Sequence, residues 1–119
     1  MKRAALAWLL AYSCVTLAQD APAMVQDGVL TGPNGMTLYT FLRDGNNESS
    51  CVKACAENWP PFKAGAGATA KGDWTLVARD DGSKQWAYKG KPLYFWSRDK
   101  KPGDRTGDKV NGTWFIAKP

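Results

Sequence analysis

Two cysteines four residues apart, Cys51 and Cys55, carry the most reactive side chains in the central part of this sequence. On a helix, residues four apart share a face with Cα atoms about 6 Å apart, within reach of a disulfide. A bridge closing so short a loop adds about 2 kcal/mol in the chain-entropy model, which makes it a local clip. The functional alternative is a redox-active pair. It lacks the two-residue CxxC spacing, and Lys53 alone is weak support for a lowered thiol pKa. The 119 residues contain no histidine. That removes Ser-His-Asp and Cys-His catalysis, His-ligated zinc, copper or non-haem iron, and CxxCH haem attachment. Three cysteines also fall short of a four-thiolate site within one chain. Carboxylate acid–base work, thiol chemistry or no chemistry remain.

The carboxylates point to the last of these. Asp99, Asp104 and Asp108 share a loop with Arg98, Lys100, Lys101, Arg105 and Lys109, so five cations oppose three anions. A carboxylate-built cation site is disfavoured there, and the spacing is not that of an EF-hand. Glycoside hydrolysis would require an acid with a raised pKa in an apolar pocket, whereas the acids here fall in turn-like contexts such as Asp80-Asp81-Gly82-Ser83. No catalytic residue, metal ligand or cofactor site is predicted. The aromatics offer binding instead. If 36–43 and 92–96 are strands, Tyr39 and Phe41 share one face, Tyr94 and Trp96 do the same, and Leu38 and Leu93 point the other way. One reading puts the rings in the core with their polar ends hydrogen-bonded, while Asp44 and Asp99 tie the following turns to backbone amides. The other makes them a platform for a sugar ring, peptidoglycan, a quinone or a protein side chain. Trp59, in a Trp-Pro-Pro segment, is then the first choice, with Tyr94 and Trp96 beside it.

The elements that position these groups are short. Met1-Lys2-Arg3 and an uncharged run to Ala18 read as a secretory signal peptide, residues 1–18, too short for a spanning helix. Cleavage there leaves Gln19–Pro119, 101 residues carrying 14 basic and 11 acidic groups, a charge of +3. So weak and scattered a positive charge does not predict nucleic-acid binding. Cys14, after Ser13, is an alternative lipidation site, and it or an uncleaved signal would be the only membrane contact. In an exported chain the remaining even pair, Cys51 and Cys55, reads first as a disulfide. Strand signals occur at Met36–Arg43, Trp74–Arg79, Lys84–Tyr88, Pro92–Trp96 and Thr113–Ala117, separated by Gly-rich turns. Gly65–Gly72 reads as a linker and Asp99–Asn111 as a polar loop.

The chain repeats itself. Gly35–Asp44 aligns with Gly90–Asp99 at an offset of 55, and Gly72-Asp73-Trp74 matches Gly112-Thr113-Trp114 at an offset of 40. The two copies of Tyr-x-[Phe/Trp]-x-x-Asp, Tyr39 to Asp44 and Tyr94 to Asp99, resemble the signature of a bacterial family of secreted proteins and predicted lipoproteins named for a Yx(F/W/Y)xxD repeat. Cys51-Val-Lys-Ala-Cys55 through Trp59-Pro-Pro-Phe62, Tyr88–Tyr94 and Gly112-Thr-Trp114 resemble it too, so the likeness covers about Gly28 to Pro119. It implies export and architecture rather than an activity. Many members place His after the last Trp, where this chain has Phe115, so no metal or haem role of that His carries over.

These readings converge on an all-β domain over 19–119. Two tandem hairpin units, about 28–80 and 84–119, would pack into one small antiparallel, sandwich-like body, with a short helical or loop insert carrying the cysteines. The expected role is an exported, periplasmic or secreted, non-catalytic envelope or binding protein for an unknown envelope component or small ligand. The alternative is a periplasmic redox accessory using Cys51 and Cys55 or an aromatic-bound cofactor.

Overall fold

The computed structural model describes residues 21–119, so the predicted signal and Cys14 lie outside the described residues. The chain is mostly β. Strand β1 (Met24–Gln26) pairs antiparallel with β2 (Val29–Thr31). Strand β3 (Tyr39–Phe41) is followed by a one-turn helix, α1 (Ala54–Asn58). Strands β4 (Trp74–Ala78), β5 (Lys84–Tyr88) and β6 (Lys91–Pro92) form a three-stranded meander, and β7 (Trp114–Ile116) returns to pair with β3. Two connections are two-residue hairpin loops, Asp27-Gly28 and Lys89-Gly90, in which both residues have positive φ. That is the backbone a tight turn needs to match the twist of its strands, and glycine at the second position supplies it without strain.

The regular strands are shorter than the sequence signals because each segment changes partner along its length. Two three-cornered hydrogen-bond cycles replace one long ladder. In the first, Leu30 N donates to Ala117 O (3.0 Å), Ala117 N to Leu38 O (2.9 Å) and Leu38 N to Leu30 O (3.0 Å). In the second, Trp86 N donates to Phe62 O (2.9 Å), Phe62 N to Leu93 O (2.9 Å) and Leu93 N to Trp86 O (3.0 Å). Each cycle takes two corners from one repeat and one from the other. The segment ending the first repeat, 59–62, lies against 94–97, and the segment ending the second, 114–117, lies against 38–42.

The structural equivalences therefore run at one constant offset. Tyr39 corresponds to Tyr94, Phe41 to Trp96, Asp44 to Asp99, Trp59 to Trp114 and Phe62 to Ala117, each 55 residues apart. This corrects the offset of 40. Trp74 resembles Trp114 in local sequence, but it stands in the β4–β5–β6 sheet opposite Tyr88, whereas Trp114 pairs with Phe41 in the β3–β7 sheet. It also moves β4 out of the first unit, because its partner is β5.

The alternation of the motif strands separates two cores. On one face Leu30, Leu38, Phe62, Leu93 and Ala117 are buried, with Trp74, Trp86 and Phe95 packed around them. On the other lie Tyr39, Cys51, Trp59, Tyr94 and Trp114, flanked by Phe41, Trp96 and Ile116. No helix among the described residues is long and apolar enough to cross a membrane.

Candidate binding groove

The two motif tyrosines meet at the centre of the molecule. Tyr39 N donates to Tyr94 O (2.8 Å) and Tyr94 N to Tyr39 O (3.0 Å), which places a pseudo-two-fold axis between equivalent residues. Their hydroxyls then cross over. Tyr39 Oη donates to Asp99 Oδ2 (2.7 Å), and Tyr94 Oη donates to Asp44 Oδ2 (2.7 Å). Each tyrosine is thus clasped by the aspartate of the other repeat. The second carboxylate oxygens close the following loops: Asp44 Oδ1 accepts from Ser50 N (2.7 Å), and Asp99 Oδ1 from Thr106 N (2.9 Å) and Oγ1 (2.6 Å).

The surroundings of the clasps set their ionisation. Burial, and then the hydrogen bond to a carboxylate, raises both tyrosines far above the ordinary phenol value. Burial pulls Asp44 upward as well, opposed by the Tyr94 hydroxyl, the Ser50 amide and the charge of Arg79. Arg79 also binds Ser49 Oγ (3.0 Å), Gln85 Oε1 (2.7 Å) and Cys51 O (2.8 Å), which anchors β4 to the cysteine loop. Because Tyr94 gives its proton to Asp44, the Ser49 hydroxyl donates to Tyr94 Oη across 2.6 Å. Every hydroxyl and carboxylate oxygen of the two clasps thus has a partner within the protein.

Trp59 is inside, not on the surface. Phe41, Trp114, Trp59 and Trp96 form one column, with centroid separations of 4.2, 3.8 and 3.9 Å along it. Trp59 is 4 % exposed and Tyr94 0 %, so a ligand ring has no access to either in this arrangement. The physical reason is pairing: Phe95 N and Ser97 N donate to Pro60 O and Asn58 O, which lays the Trp-Pro-Pro segment flat on the second motif strand. Of the three predicted binding aromatics, Trp96 alone keeps part of its surface, with the Arg98 guanidinium 5.9 Å from its centroid.

Cys51 and Cys55 are joined in a disulfide, Cα to Cα 5.2 Å, with Cys51 wholly buried under Tyr94 and Trp114. The loop carboxylates are held by protein donors. Asp104 Oδ2 accepts from the Lys100 and Lys101 amides, which lowers its pKa, and Asp108 Oδ1 accepts from Ile116 N. Among the described residues no group of three or more Cys, Asp or Glu could hold a metal ion.

The open surface lies elsewhere. The β3–β7 register sets Thr40 against Phe115, both turned away from the aromatic column. Beside them runs a groove of about 420 Å³, lined by Thr40, Leu42, Tyr88, Phe115 and Ile116 together with Lys89, Lys91 and Lys118. Its one acid, Asp44, has both oxygens bonded within the clasp. Leu42 is 67 % exposed, the most exposed large hydrophobic described. Sequence reasoning missed these residues, although Lys89-Gly90-Lys91 and the apolar-then-basic close Phe115-Ile116-Ala117-Lys118 were there to read.

A crossed, duplicated β architecture of this kind defines a repeat protein. The family described as a secreted repeat of unknown function, Lipoprotein_15, matches residues 23–63 and 75–118, so this chain belongs to that family and is an exported repeat protein. The two matched segments leave β4 almost wholly with the second repeat. No curated protein and no solved structure matches the chain.

Proposed function

We propose that this exported protein is a non-catalytic binding protein of the cell envelope, periplasmic or secreted, and that the Leu42–Phe115 groove is its binding surface. One observation carries the reading: the chain's motif hydroxyls and carboxylates bond one another, while a concave, mostly apolar groove with three lysines stays open. Concave, mostly apolar sites with a few convergent polar groups are where small ligands bind. The redox alternative has less support, since the pair lacks the two-residue CxxC spacing and only the half-buried Cys55 could be reached by an exchange partner, Cys51 being fully buried.

The test is native mass spectrometry of the purified protein before and after incubation with an envelope extract. A discrete mass increment that disappears in a Leu42→Glu/Lys118→Glu variant, folded by circular dichroism, is the expected result. An increment that survives in the variant, or none at all, removes the groove as the binding surface.

A further inference from the structure

Resting on that reading, we infer that the groove takes a free, monomeric anionic amphiphile: an apolar chain or ring with one negatively charged head. Three observations converge on this class. The volume, about 420 Å³, suits a small molecule, since such sites run from about 300 to 1,000 Å³. The lining is mostly apolar, with Leu42, Phe115 and Ile116 beside the hydroxyl-bearing Thr40 and Tyr88. The rim is cationic: Lys89, Lys91 and Lys118 are exposed, none forms an ion pair with a described residue, and Lys89 Nζ alone has a ring contact, 5.2 Å from the Tyr88 centroid. Ammonium groups around an apolar trough attract a negative head while the body leaves water.

The pseudo-symmetry supplies a comparison inside the same molecule. The segment Phe115-Ile116-Ala117-Lys118 has its counterpart in Pro60-Pro61-Phe62-Lys63, which lines a second, wider depression of about 720 Å³. There Glu57 and Asp81 balance Lys63 and Arg79, and Arg79 is tied to Ser49, Gln85 and Cys51. One duplicated surface thus kept an unbalanced positive rim and the other did not. The difference assigns ligand selection to the first groove.

The experiment titrates the purified, isotopically labelled protein with sodium decanoate, 1-decanol and decyltrimethylammonium below their micelle concentrations, reading amide chemical shifts. Decanoate should give saturable shifts at Leu42, Lys91, Phe115 and Lys118, with decanol at least about fivefold weaker and the cation not binding there. Lys91→Glu/Lys118→Glu should weaken decanoate about tenfold with an unchanged thermal midpoint, and Lys63→Glu should leave it unaltered. The inference is overturned if decanol binds as tightly as decanoate, if the shifts centre on Phe62 and Lys63, or if the double variant binds normally. Shifts induced only by phosphatidylglycerol vesicles, with none from decanoate, would overturn it in favour of a membrane surface. If decanoate fails while the extract-derived mass increment still depends on the groove, the ligand class falls and the binding reading stands. If both fail, the binding reading falls too.

Discussion

A tyrosine hydroxyl bonded to the carboxylate of the other repeat is the residue-scale unit of this protein, and it occurs twice, with Asp99 buried and Asp44 half-buried. Replacing Tyr94 with Phe leaves Asp44 Oδ2 and Ser49 Oγ facing a ring edge, which should cost about 1–3 kcal/mol in urea unfolding. A Tyr94→Phe/Asp44→Asn double-mutant cycle with no coupling would show that the clasp carries no energy. The same residues set an alkaline limit. A phenol whose folded pKa lies above its unfolded value of 10.0 contributes stability that is complete below pH 10 and is lost as pH climbs beyond it. Ultraviolet titration of the tyrosines should therefore show Tyr39 and Tyr94 ionising only together with the loss of near-ultraviolet dichroism. Ionisation of both near pH 10 with the fold intact would refute this. Gly107 is a third sensitive point, because an added Cβ would sit 2.9 Å from the rings of both Tyr39 and Trp59. Gly107→Ala should lower the unfolding free energy by about 1–3 kcal/mol, readable as a lower midpoint in the same urea assay. The motif itself was legible from spacing alone. Its pairing across repeats was not, since the bonded partners stand 60 and 50 residues apart and nothing local records which tyrosine takes which aspartate.

Among the elements, α1 is the least self-sufficient. It has five residues and no side-chain cap at its start, well below the length at which an isolated helix persists. The Cys51–Cys55 bridge spans its entry. Cys51→Ala/Cys55→Ala should cost about 2 kcal/mol and speed hydrogen exchange mainly across 51–59, leaving β4 and β5 protected. Uniform loss of protection would instead make the bridge a global support. Periodicity located β4 and β5 well, because the two pair with each other along their whole length. It overextended 36–43 and 92–96, because Leu38 and Leu93 bond one neighbour and the following tyrosines another. Trp59 looked exposed for a related reason: prolines in a sequence read as a solvent-facing break, yet Pro60 and Pro61 here follow an existing strand through their carbonyl groups and unpaired edges.

For the molecule as a whole, the crossed connections make the two halves mutually dependent. Residues 21–70 hold Tyr39, Asp44 and Trp59, while 71–119 hold Tyr94, Asp99 and Trp114, and each clasp, each cycle and the middle of the aromatic column draw on both. Chains of about fifty residues rarely bury enough surface to fold alone. Expressed separately, each fragment should lack near-ultraviolet dichroism, and an equimolar mixture should recover it. A fragment that folds unaided would mean the repeats are autonomous and the crossing incidental.

The axis between Tyr39 and Tyr94 has a consequence for how such chains are counted. Reciprocal bonding of equivalent residues is the geometry of an isologous homodimer, in which a patch meets its own copy. A single ancestral unit would satisfy every clasp by pairing with a second molecule, and gene fusion would then convert an association into a covalent certainty. Units of this design close only in twos. A chain built from an odd number would leave one hydroxyl and one carboxylate without their mates, and would recruit another chain to supply them.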